Sequence, residues 1–112
     1  MPYLTRRHYP ERPDCWQAFY GDVQVGTIAR RAGVPVDVDQ WEWGCGFYPG
    51  MEPGQSLNGT AAYFGQARNC FELAWQRILA TLTEANFQEW RDQRDRTARK
   101  YAMWDRGERL PS

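Results

Sequence analysis

The sequence predicts an α+β domain: a three- or four-stranded antiparallel sheet followed by two C-terminal helices packed on one face. Three observations carry this. β-rich runs joined by short turn signals fill the first half of the chain, stretches with helical spacing of apolar residues fill the second, and the two kinds do not alternate as βαβ units would. At 112 residues, 42% hydrophobic and 25% charged, the chain fits one domain. Its six Trp, six Tyr and five Phe supply side chains that each bury roughly 150–250 Å² when packed.

Residues 1–14 read as a flexible N-terminal arm ahead of a single α+β domain over 15–112. The arm holds Arg6, Arg7, His8, Arg12 and the prolines Pro2, Pro10 and Pro13, without the apolar run of a signal peptide. Cys15-Trp16-Gln17-Ala18-Phe19-Tyr20 and Val23-Gln24-Val25-Gly26-Thr27-Ile28-Ala29 flank Gly21-Asp22, a pair suited to the type II′ turn of a hairpin. Val25 and Ile28 cannot both face a core on strict alternation, so a bulge or bend is expected near Gly26. Ala32-Gly33-Val34-Pro35 reads as a loop. From Trp41 to Tyr48 the chain alternates, with Trp41, Trp43, Cys45 and Phe47 on one face. Pro49 to Gly59 has loop composition, and a short strand is expected over Gly59–Tyr63.

Phe64, Ala67, Phe71, Ala74 or Trp75, Ile78 and Leu82 recur at the spacing of an amphipathic helix. Thr81 or Thr83 can cap a second helix, Thr81 and Glu84 being in capping-box register, and this helix runs through Phe87, Trp90, Thr97, Ala98, Tyr101 and Trp104. Its charged residues include three pairs four apart, Asp92 with Arg96, Asp95 with Arg99 and Arg91 with Asp95, each able to contribute about 0.2–0.5 kcal/mol. The helix either completes the layer on the sheet or projects outward.

Several segments carry a resemblance: Tyr20-Gly21-Asp22-Val23, Val25-Gly26-Thr27-Ile28-Ala29, Trp41-Glu42-Trp43, Cys45-Gly46-Phe47-Tyr48-Pro49-Gly50, Gly59-Thr60-Ala61-Ala62, and the tail from Trp90 through Arg94-Asp95 to Lys100-Tyr101-Ala102-Met103-Trp104. On these, the stretch from Phe19 to Pro111 resembles a group of small proteins that recur in rhizobia and related alphaproteobacteria. The resemblance implies a bacterial cytoplasmic protein and brings no activity and no catalytic residues with it.

Fourteen cations balance fourteen acids, a charge far from that of a domain built to coat phosphate backbone, so general nucleic-acid binding is disfavoured. No stretch has the roughly 20 apolar residues of a membrane helix, and the cytoplasm is the expected compartment. Cys15, Cys45 and Cys70 are odd in number and form no C-x-x-C pair, which points to reduced thiols and signals no metal. Asp37, Asp39 and Glu42 lack the rest of a calcium loop. His8 is the only histidine and lies in the arm, which argues against Cys-His or Ser-His catalysis. No phosphate-loop or dinucleotide pattern occurs, so no cofactor and no catalytic residue is expected.

The stripe Trp41, Trp43, Cys45 and Phe47 could stack bases, but a helix able to bury it exists in the same chain, and core packing is the expected role. Tyr48, Tyr63, Trp90, Tyr101 and Trp104 exceed what one sheet face and one helix stripe need. The expected function is therefore non-enzymatic protein–protein association, with an unknown protein or with a second copy as partner. Tyr48, Trp90, Arg94, Tyr101 and Trp104 are the candidate interface residues, and Arg30, Arg31, Arg99 and Lys100 the candidate anion contacts. The competing reading is a small nucleic-acid-binding regulator.

Overall fold

The computed structural model describes residues 3–52 and 54–107, which form a five-stranded antiparallel sheet and two helices. In chain order these are β1 (Leu4–His8), β2 (Cys15–Tyr20), β3 (Val23–Arg30), β4 (Trp41–Cys45), β5 (Leu57–Ala61), α1 (Phe64–Leu79) and α2 (Glu84–Asp105). Each strand lies beside its predecessor, in the order β1-β2-β3-β4-β5. The α+β class with two C-terminal helices is as the sequence predicts, with two corrections. The sheet has five strands rather than three or four. The additional strand, β1, comes from the segment read as a flexible arm, where Leu4, Arg6 and His8 pair with Tyr20, Ala18 and Trp16. Leu4 packs on the core, and the backbone of β1 supplies the hydrogen-bond partners that β2 would otherwise lack.

Gly21 sets the first long hairpin. Its φ is +61° and Asp22 has no positive φ, the signature of a type II′ turn, whose twist matches that of the flanking strands. Two residues later the register shifts: Ala18 faces Gly26 while Phe19 faces Gln24, so Val25 is the extra residue of a bulge. This places Val23, Val25 and Ile28 all in the core, as the expected bend near Gly26 requires. Gly26 has a φ of +155°, and a Cβ there would lie 2.0 Å from the Gly44 carbonyl oxygen and 2.6 Å from the Phe71 ring. Only glycine fits.

Directly opposed residues share a face, so Trp16, Ala18, Ile28, Trp41, Trp43, Cys45 and Ala61 line the side that α1 covers. α1 lies over β3, β4 and β5 and presents Ala67, Phe71, Ala74, Trp75 and Ile78 to them. Cys45 and Phe47 are buried, and Trp41 and Trp43 pack against the same core from its margin, Trp41 edge-on to Phe64 at 5.3 Å. Some boundaries differ from the expected ones. β4 ends at Cys45 because Gly46, with φ +152°, turns its N–H to the Val25 carbonyl. β5 begins at Leu57, and α1 stops at Leu79, where Thr81 donates to the Ile78 carbonyl at 2.7 Å. No described helix is long and apolar enough to cross a membrane.

α2 behaves differently. Phe87 is its one buried residue, Trp90, Arg91 and Arg94 still touch the body, and the turns beyond Arg94 carry mostly exposed residues. The radius of gyration, 16.5 Å, exceeds the roughly 13 Å of a compact chain of this size, and the longest extent of 53 Å is the direction in which the surplus lies.

Candidate functional site

The start of α2 is fixed by short-range chemistry. Thr83 is the N-cap, and Asn86 closes a capping box with it: the Thr83 N–H donates to Asn86 Oδ1 at 2.7 Å while the Thr83 side chain accepts from the Asn86 backbone. The expected box between Thr81 and Glu84 does not form, since Thr81 is engaged at the end of α1. Asn86 also donates from Nδ2 to the Gly50 carbonyl at 2.6 Å, which pins the helix to the loop after β4. Phe87 then enters the body, stacked on Phe47 at 5.4 Å and on Tyr20 at 5.6 Å, with Trp75 edge-on at 6.3 Å. Aromatic pairs of this geometry are worth about 0.5–1.5 kcal/mol beyond the area they bury.

One turn later two arginines reach the β2–β3 turn. Arg91 donates from Nε to Asp22 at 3.0 Å and from Nη1 to Glu84 at 2.6 Å. Arg94 donates from Nη1 to the second Asp22 oxygen at 2.8 Å, from Nε to Asp95 at 3.1 Å, and lies 5.5 Å over the Trp90 ring. Desolvation pushes the Asp22 carboxyl upward, but the hydrogen bonds from Arg94 and Arg91 outweigh it and the net shift is downward. The Glu84 hydrogen bond first, then those of Asp22, raise Arg91, and Asp22 and Asp95 raise Arg94. The three pairs expected along the exposed face are not made. Arg91 turns to Asp22 and Glu84 instead, Asp92 accepts from Gln88, and Arg96 donates to Gln93. Of the cations on α2, Arg91 and Arg94 reach the sheet.

Trp90 is half-buried and lines a shallow cavity with Gln24, Thr27, Gly44 and Tyr48, on the sheet face that α1 leaves open. The structure thus brings Tyr48, Trp90 and Arg94 to one end of the sheet. Tyr48 itself is 80% exposed. Tyr101 and Trp104 sit two turns and more beyond, 65% and 61% exposed, after Arg94 and its ion pair with Asp22. Phe87, Trp90, Arg94, Thr97, Tyr101 and Trp104 follow one another at intervals of three or four, so the stripe that packs on the sheet continues along the projecting half.

The candidate anion contacts do not converge. Arg30, the last residue of β3, and Arg31 after it lie beside Arg12, Glu11 and Asp14, with Arg31 donating to the Asp39 carbonyl at 3.0 Å. That end lies eight residues of strand, roughly 26 Å, from the turn that α2 grips, whereas Arg99 and Lys100 are exposed on the projecting helix. Asp39 accepts from Thr60 at 2.8 Å and fastens the Arg31–Gln40 loop to β5. Burial pushes the Cys45 thiol up to about 12, so it is neutral and unreactive at ordinary pH. His8 donates from its exposed ring to the Pro13 carbonyl. Asp22, Asn86 and Phe87 were not among the candidates. Their contacts with Gly50, Phe47, Tyr20, Arg91 and Arg94 span 36 to 72 positions in sequence, a separation that residue spacing does not reveal.

Comparison with protein-family models, with curated proteins and with solved structures found no match.

Proposed function

We propose that this protein is a non-enzymatic protein-association module that works through the projecting half of α2. One observation carries the reading: Tyr101 and Trp104 stand exposed on the continuation of the stripe whose earlier members, Phe87 and Trp90, are packed on the sheet. Helices of this length draw most of their stability from a packed face, and here the packed face stops halfway. Aromatic residues and arginine are also the side chains that dominate association energetics. A catalytic reading has less support, because the thiol of Cys45 is held neutral and the only histidine is an exposed edge-strand residue. The proposal includes a cytoplasmic location, supported by three free cysteines.

The test compares the wild-type chain with Tyr101→Ala/Trp104→Ala by sedimentation of the pure protein and by capture of partners from nuclease-treated lysate. The double variant is expected to lose whatever complex the wild type makes while melting at the same temperature. Indistinguishable behaviour of the two proteins overturns the reading. In a parallel capture without nuclease, retention of nucleic acid that high salt removes would favour the regulator instead.

A further inference from the structure

Resting on the reading of α2 as an association surface, we infer that its partner is a second copy of this chain, and that the two projecting helices pair antiparallel, crossing at the level of Arg99. Three observations select this occupant and this direction. First, Arg94, Thr97, Tyr101 and Trp104 recur at intervals of three, four and three, a spacing that reads the same from either end. An antiparallel copy therefore sets Tyr101 against the partner's Thr97 and Trp104 against the partner's Arg94. Arg94 already lies over one indole, that of Trp90 at 5.5 Å, so a second indole meets a guanidinium held in place by Asp22.

Second, a parallel pair would stack each residue on its own copy and bring the two Arg94 guanidinium groups together inside the seam, which like charges disfavour. Third, α2 carries Asp105 in its last turn, at the negative end of its dipole, with no basic residue within that turn and Arg106 as the C-cap. In the antiparallel pair that end lies beside the partner's Arg91 and Arg94. Ala98, at one edge of the stripe near the crossing, is small enough to let the backbones approach on that side. Lys100 flanks the stripe on the side opposite Ala98 and is exposed, so its stem lies along the edge of the seam while its ammonium stays in water. The pairing extends a surface already in use, since Phe87 and Trp90 hold the first half of the same stripe to the body.

The experiment uses the full chain with Cys70→Ser and Gln88→Cys, a nitroxide on residue 88, and two readouts: sedimentation across concentration and the label-to-label distance by pulsed dipolar spectroscopy. Cys15 and Cys45 are buried and stay unlabelled. The expected result is a dimer with the labels about 33 Å or more apart, because the two positions lie on opposite sides of the crossing. Tyr101→Ala/Trp104→Ala in the same background is expected to weaken the dimer about 30-fold or more, with the melting temperature unchanged at concentrations where both proteins are monomeric. A distance under about 25 Å means a parallel pair and overturns the inference while leaving the association surface in place. A chain that stays monomeric at millimolar concentration overturns it too. In that case capture of another protein that depends on Tyr101 and Trp104 retains the broader reading, and its absence removes both.

Discussion

Arg94 and Asp22, separated by 72 positions in the chain, meet at 2.8 Å and join the last helix to the first tight turn of the sheet. The contact is shared with Arg91, so a single carboxylate receives two guanidinium groups from successive turns of α2. Asp22 is therefore the point at which the orientation of the projecting helix is decided.

Replacement of Asp22 by Asn is expected to cost about 1 kcal/mol or less in global stability, since the pairs are half-exposed and screened by water. The larger effect is local. Amide exchange from residue 88 onward should speed up in the variant while exchange in β2, β3 and α1 stays unchanged.

The same carboxylate makes α2 sensitive to acid. Its pKa is lowered in the folded chain from an ordinary value of 3.8, so its contribution is complete above that value and is lost as pH falls through the lower, folded one. The difference in melting temperature between wild type and Asp22→Asn should be constant from pH 7 to about 5 and close progressively below about pH 4. A difference that persists at pH 2 would assign the effect to something other than charge.

Phe87→Ala removes the one α2 side chain that is buried, together with its stacking on Phe47 and Tyr20. A loss of about 3–5 kcal/mol is expected in denaturant unfolding, as for other buried aromatic residues. Truncation after Leu82 should expose the same surface.

Glycine positions separate cleanly by what a methyl group would meet. Gly26→Ala is expected to lose more than about 4 kcal/mol or fail to fold, because the Gly44 carbonyl and the Phe71 ring occupy the space. Gly33→Ala, with φ +71° but nothing within 4 Å, should cost about 1 kcal/mol. Gly44→Ala meets nothing and has no positive φ, so its effect should be smaller still.

A thiol titration of the native protein at pH 8 should find Cys70 alone reactive. Cys15 is buried, and Cys45 is buried with its pKa raised to about 12. All three thiols should react in denaturant.

Much of this architecture was legible in the residues. Gly21-Asp22 announced its turn, the conflict between Val25 and Ile28 announced the bulge, and the aromatic alternation from Trp41 announced the core face of β4. β1 was not legible, because Leu-Thr-Arg-Arg-His contains one apolar residue and owes its strand to the waiting edge of β2. The exposed aromatics Tyr48, Tyr101 and Trp104 could be read as surplus to the core, and they are exposed. What spacing along a helix could not supply was competition: Arg91 is four residues from Asp95 and in register to pair with it, yet Asp22 and Glu84 take it. Glu84 lies on the same helix and Asp22 across the fold, and only the contacts across the fold place α2.

The unbroken order of the sheet has a consequence for synthesis. Every strand finds its neighbour already made, so sheet and α1 can assemble as the chain leaves the ribosome, with short loops to close at each step. The longest closure comes last, when residues 84–94 return to the turn at Gly21-Asp22. Until then Tyr20, Phe47 and Trp75 lack the ring of Phe87, and the nascent domain presents an open aromatic mouth. That interval, rather than any stage of the mature protein, is when the chain is most exposed to aggregation and has most to gain from a chaperone.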